Sequence, residues 1–227
     1  MAETPPLIDL KNIEFSYPKG ENVLKGVNLL VSIDDKVALT GFNGSGKTTI
    51  LNIIMGLIKP TGGTVTLLGK KCQSEKDFAP IRPLLGYVFQ DANDQLFCPT
   101  VGDDIAFGPL NMGSSYKEAE EITIDVLERL GLTGFGQRVT HDLSGGEKKL
   151  VALGTALALK PKMLILDEPT TFLDRPSRER LLELMGTLSL PFLIVSHDFD
   201  FLQKTGCRYL ELDDGVIVDR GNKPVTY

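Results

Sequence analysis

Residues Gly41-Phe-Asn-Gly-Ser-Gly-Lys47-Thr48 read G-x-x-x-x-G-K-[ST] and tightly restrict what this chain can fold into. Glycines let the backbone curl until successive N–H groups point inward at the β- and γ-phosphates of a nucleoside triphosphate. The loop works only between a strand and a helix. Lys36-Val-Ala-Leu-Thr40 reads as a short buried strand before it, and Thr49-Ile-Leu-Asn-Ile-Ile-Met55 as the start of a helix after it. Lys47 brings a positive charge to the phosphate oxygens, and the Thr48 hydroxyl suits Mg²⁺. Asn43, Gly44, Ser45, Gly46, Lys47, Thr48 and Thr49 are therefore the candidate nucleotide-binding residues.

Composition narrows the remaining classes. A formal net charge of −6 and a pI near 5.0 disfavour nucleic acid as the main partner. The apolar runs fall far short of the ~20 residues that a membrane span requires. Met1-Ala-Glu-Thr-Pro-Pro has neither the basic nor the apolar character of a signal peptide, so a membrane role is expected to come through a partner. Cys72, Cys98 and Cys207 follow no metal or redox spacing and read as buried thiols in a reducing cytoplasm. Two histidines, His141 and His197, make a histidine-based metal site unexpected.

Residues 7 to 33 alternate apolar and polar with a turn signal at Pro18-Lys-Gly20, which predicts antiparallel strands. A short strand is expected at Thr64–Leu68, and a second at Leu85–Phe89 ending at Gln90. From about 91 to 160 the pattern is mainly helical. Ser115 and Glu118 form a capping box, Ile122, Val126, Leu127 and Leu130 recur at helical spacing, and Gly131 supplies the stop. Met163–Leu166 then runs into Asp167-Glu168, Phe192–Val195 into Ser196-His197, and a hairpin is expected around Asp213-Asp-Gly215. Four near-continuous apolar strands thus finish at the glycine loop, Gln90, Asp167-Glu168 and His197. Open parallel α/β sheets bind ligands outside the carboxyl ends of their strands, so these groups are expected to meet in one site.

Asp167 fits the acid that holds Mg²⁺, through a bound water. Glu168 could orient or deprotonate an attacking water. Strand alternation is expected to turn the two carboxylates in different directions. His197 could hydrogen-bond the γ-phosphate, and Gln90 could contact Mg²⁺ or the water without adding charge. The catalytic candidates are Glu168, His197, Gln90 and Lys47, and the metal candidates Thr48, Gln90 and Asp167. In Leu143-Ser-Gly-Gly-Glu147, Ser144 and Glu147 make a capping box for a helix to about Leu159. Ser144, Gly145 and Gly146 would also leave backbone N–H groups bare at its positive end. Two anion sites in one chain hint at a site shared between two protomers.

Gly41–Thr48, Gln90, Leu143–Glu147, Met163–Glu168, Thr171-Phe-Leu-Asp174 and His197 resemble, in order, the Walker A loop, Q-loop, signature, Walker B, D-loop and switch histidine of ATP-binding-cassette (ABC) ATPases. The resemblance spans essentially the whole chain and places Tyr17 where the family stacks an aromatic on adenine. It implies an α/β fold with a P-loop NTPase (RecA-like) core, an N-terminal antiparallel β-subdomain and an inserted α-helical signature subdomain. One domain over 1–227 is expected, with core and β-subdomain at about 1–90 and 160–227 and the helical subdomain at about 91–159. ATP and Mg²⁺ are the implied cofactors, and a head-to-tail dimer with a second ATPase protomer the implied assembly.

Asp91-Ala-Asn-Asp-Gln-Leu-Phe97 and Pro99–Pro109 further resemble energy-coupling-factor importers, the cobalt/nickel branch most of all. That implies transmembrane scaffold and substrate-capturing subunits docking near Asp94–Phe97, at the cytoplasmic face of the cell membrane. The chain departs from the family at Leu150 and Thr155, where basic or long polar residues are usual. It also stops at Tyr227, so dimer contacts through a C-terminal extension are not expected. A soluble cassette ATPase acting on DNA or ribosomes, and a nucleotide-gated module without turnover, are the rival readings.

Overall fold

The computed structural model describes residues 5–18, 20 and 22–222. Residues 1–4, Lys19 within the expected turn, and the C-terminal Tyr227 lie outside the described residues. The strands are β1 (Ile8–Ser16), β2 (Asn22–Val31), β3 (Lys36–Thr40), β4 (Gly62–Leu67), β5 (Lys70–Cys72), β6 (Leu85–Val88), β7 (Met163–Asp167), β8 (Phe192–Val195), β9 (Arg208–Asp213) and β10 (Val216–Gly221). The helices are α1 (Lys47–Ile54), α2 (Glu75–Phe78), α3 (Val101–Asn111), α4 (Tyr116–Arg129), α5 (Gly145–Ala158), α6 (Arg175–Thr187) and α7 (Phe199–Thr205).

Two sheets divide the strands. An antiparallel sheet runs β2-β1-β4-β5, with Ile8 opposite both Val31 and Leu67. The second sheet runs β10-β9-β3-β8-β7-β6, parallel from β9 to β6, with β10 antiparallel at the edge. Its inner strands read as unbroken apolar runs because both faces are covered. Val37, Leu39, Ile165, Leu193 and Val195 face the antiparallel sheet and α1. Ala38, Leu164, Leu166, Phe192 and Ile194 face the other way, into the core built with the helices. Alternation along each strand therefore feeds two cores from one sheet.

The predicted helical stretch packs as α3, α4 and α5 on that second face. Ser115 and Glu118 form the expected box, and Gly131 closes the helix region at φ 57°. The hairpin turns at Asp214 (φ 43°) and Gly215 (φ 79°), the paired left-handed geometry that matches strand twist. α6 and α7 are each capped by an aspartate, Asp174 accepting from the Ser177 N–H and Asp198 from the Phe201 N–H. An Arg178–Asp198 ion pair ties the two helices together.

Candidate active site

The glycine loop is braced before any ligand arrives. Thr40 Oγ1 donates to the Leu210 carbonyl at 3.2 Å. Gly41, at φ 138°, lies so close to β9 that a Cβ would sit 2.4 Å from the Leu212 oxygen. Gly46 caps α1 at φ 107° without a side-chain hydrogen bond, which leaves the first N–H groups of the helix directed into the loop. Lys47 Nζ donates to the carbonyls of Gly41 (2.8 Å) and Phe42 (2.9 Å), folding back over its own loop. Burial lowers the Lys47 pKa against the opposing pull of Glu168 and Asp167. Thr48 is exposed. Thr49 is buried, its hydroxyl 3.2 Å from the Tyr17 hydroxyl. Tyr17 is 48% exposed and stands edge-on to Phe15, so its ring is positioned beside the loop with a free surface.

Asp167 ends β7 and is buried, and the Tyr87 hydroxyl donates to its Oδ2 at 3.3 Å. Burial raises its pKa, and the Tyr87 bond counters this. Glu168 leaves the strand in the left-handed region, at φ 44°, with its N–H donating to Val195 at 2.8 Å. Backbone strain of this kind, rather than the expected strand alternation, is what re-aims the second carboxylate. Glu168 Oε2 accepts the His197 N–H at 3.3 Å, and its Oε1 lies 3.5 Å from His197 Nε2. Burial raises the Glu168 pKa. Burial, with the charge of Lys47, lowers that of His197.

Tyr17, Asn43, Gly44, Gly46, Lys47, Thr48, Thr49, Gln90, Asp167, Glu168 and His197 line one cleft of about 670 Å³. Ser45 is not in that lining; its Oγ is buried without a hydrogen-bond partner among the described residues. An orphaned hydroxyl in a loop whose helix terminus is uncapped fits a phosphate. The Thr48 hydroxyl, the Gln90 amide and the Asp167 carboxylate are oxygen donors with room for water, the set a Mg²⁺ ion prefers. Among the described residues no cluster of three His, Cys, Asp or Glu forms a closed metal cage.

Ser144, Gly145 and Gly146 are not part of this cleft. They open α5, where Ser144 Oγ accepts the Glu147 N–H and Glu147 Oε2 accepts from both the Ser144 N–H and hydroxyl. Gly146 is buried against α6, and a Cβ there would lie 2.1 Å from Ser177 Oγ. The Asp94–Phe97 segment splits. Asp94 and Phe97 (64% exposed) face outward, Phe97 edge-on to Phe107. Leu96 is buried, and the Gln95 amide points inward, accepting from Phe89 N–H and donating to Ala152 O and Thr155 Oγ1. The departures at Leu150 and Thr155 have reasons in this packing: Leu150 joins the helical core and Thr155 pairs with Gln95. Lys149 and Tyr87 belong to the site's surroundings without having any motif to announce them.

A parallel sheet whose strand ends carry an uncapped glycine loop, a buried acid and a strained glutamate defines a P-loop nucleoside-triphosphatase. The chain belongs to the ABC transporter family, whose family model matches residues 24–171. It is 47% identical to a chain named as an ABC transporter ATP-binding protein in Nitratidesulfovibrio vulgaris, over 96% of this chain and 81% of that one. It is 39% identical to the energy-coupling factor transporter ATP-binding protein EcfA of Methanothermobacter thermautotrophicus, over 95% and 70%. The fold matches cbiO1 of Clostridium perfringens, part of the ABC transporter complex cbiONQ, with a TM-score of 0.86 and 31% identity over 96% of this chain and 88% of that one. It also matches the dimeric cassette MJ0796 bound to ADP and Pi, with a TM-score of 0.85 and 29% identity over 96% and 100%. The chain is thus an ABC-type ATPase subunit that uses ATP and Mg²⁺, in a family whose cassettes dimerise and work with membrane components. Among the described residues no helix is long and apolar enough to cross a membrane.

Proposed function

We propose that the chain is the ATP-hydrolysing subunit of an energy-coupling-factor importer, serving uptake of cobalt, nickel or another micronutrient. It forms one cassette domain over 1–227, with the helical part at about 91–159, and works as a dimer on the cytoplasmic face of the membrane. The carrying observation is the separation of the two anion sites: α1 opens into the cleft, while Ser144, Gly145 and Gly146 lie outside it. Each site is complete only when a second protomer presents its α5 terminus. The EcfA relative and the cbiO1 fold match support the importer reading over a cassette acting on DNA or ribosomes.

In this reading Tyr17 stacks on the base. Loop N–H groups from Asn43 to Thr49 cradle the phosphates, and Lys47 leaves its loop carbonyls for the phosphate oxygens. Mg²⁺, held through Thr48, Gln90 and Asp167, supplies charge neutralisation there. Glu168, its proton affinity raised by burial, takes up the proton of the attacking water. His197, its pKa lowered by burial and Lys47, holds the Glu168 carboxylate through its backbone N–H and offers its imidazole to the γ-phosphate. Asp94 and Phe97 meet the membrane scaffold.

The test is Glu168→Gln with ATP and Mg²⁺. Hydrolysis should fall by roughly 10²–10⁴-fold, the range a positioned general base supplies, while a dimer accumulates. Affinity capture of that dimer from detergent-extracted membranes should bring down a polytopic scaffold with a small substrate-capturing protein. A monomer at saturating ATP would remove the shared site. Capture of ribosomes or DNA-bound proteins in place of membrane subunits would keep the ATPase and discard the importer.

A further inference from the structure

Lys149 lies in α5 with 3% of its surface exposed, in a helix whose buried side is otherwise made of Leu150, Val151, Leu153 and the small residues glycine and alanine. Burying an ammonium is costly unless its donors are used. Here Nζ donates to the carbonyl of Phe89 at 3.0 Å and to that of Gln90 at 2.6 Å. Those two residues have outrun the sheet: the β6–β7 ladder ends at the pair Val88 and Leu166, two residues short of Gln90. Neighbouring side chains hold other parts of the same stretch to α5. Lys148 Nζ reaches Asn93 Oδ1 at 3.1 Å, and Gln95 donates to Ala152 O and Thr155 Oγ1. Of these side chains, Lys149 alone bonds Gln90 itself. Fixing a residue's carbonyl fixes its peptide plane, and with it the direction in which its side chain leaves the backbone.

We infer that Lys149 is a positioning residue for hydrolysis, acting through Gln90 by anchoring the Gln90 peptide to α5 rather than to the catalytic sheet. The inference rests on the reading of Gln90 as a cleft residue that meets Mg²⁺ or the water. It means the helix carrying the second anion site also sets where Gln90 stands in the first. A displacement of about 1 Å in a reacting group costs on the order of 10²-fold in rate. The loop and Tyr17, which hold ATP, are left untouched.

The experiment is a double-mutant cycle on the dimeric, ATP-turning-over protein with Lys149→Met and Gln90→Ala. K149M should lower kcat about 10- to 100-fold with KM for ATP within about two-fold. K149R, which keeps the charge and several donors, should recover part of that loss. K149M added to Q90A should cost little more than Q90A alone. Multiplying losses, or a rise in KM with kcat unchanged, would overturn the inference and reduce Lys149 to packing. Full activity of Q90A would overturn it from the other side, by removing Gln90 from the chemistry. If K149M fails to fold, judged by its melting curve and ATP binding, the same cycle with K149R decides between multiplying and non-multiplying losses.

Discussion

Two helix N-termini in this molecule are anion sites in the proposed reading, and they are built in opposite ways. α1 begins at a left-handed glycine with no side chain to cap it, so its free N–H groups are left for a ligand. α5 begins at Ser144 with a full capping box, and the Glu147 carboxylate already sits in the field of the helix terminus. A terminus left empty by its own sequence is preorganised to bind strongly. One that caps itself can add only what its cap leaves over. The contrast suits a site in which one half holds ATP continuously and the other joins and leaves it.

Removing the charge on the strong side should have the largest effect. Lys47→Ala is expected to lower ATPase activity by at least about 10²-fold, the scale of losing one preorganised stabilising group. Isotope-release assays would read it, and near-normal turnover would take the lysine out of the chemistry. On the self-capped side, Ser144→Ala should cost about 1 kcal/mol of stability through the lost cap. It should also slow hydrolysis by the dimer without changing ATP affinity of the isolated chain. If single-chain affinity fell instead, the two termini would not be separate sites.

The smallest effect is expected from acid. Hydrogen bonds from Ser144 hold the Glu147 carboxyl below its ordinary pKa. A depressed carboxylate contributes stability that is present above its unfolded pKa, about 4.3, and is lost as pH falls through the lower folded value. Melting curves below about pH 4.5 should therefore show less acid sensitivity in Glu147→Gln than in the parent. Equal slopes would mean that the box contributes nothing through charge.

Most of the sheet was legible because both of its faces are buried, which writes each strand as an apolar run ending in a polar group. The strand ends then located Lys47, Gln90, Asp167, Glu168 and His197 in one cleft. Other features resisted. The amphipathic signal of α6 is thin, with Leu181 and Met185 as its buried residues, and α7 is short. Glu168 owes its direction to a left-handed backbone that residue type does not announce. Gln95 looks like a surface amide in sequence, yet two of its partners, Ala152 O and Thr155 Oγ1, lie in a helix more than fifty residues later. Lys149 was hidden by the same bias toward solvated lysines. The spacing of Gly146, Lys149, Leu150 and Leu153 on one helical face was the signal that could have revealed it.

The place of β3 has a consequence for how the chain is made. Val37 pairs with Leu193 on one side and Arg208 on the other, and Gly41 rests on the Leu212 carbonyl. On a translating ribosome, the glycine loop emerges on the order of ten seconds before β8 and β9. Throughout that interval the motif is chemically complete but has no cradle. Nucleotide is therefore expected to bind this protein as a ligand of the finished sheet rather than as a scaffold for its early folding.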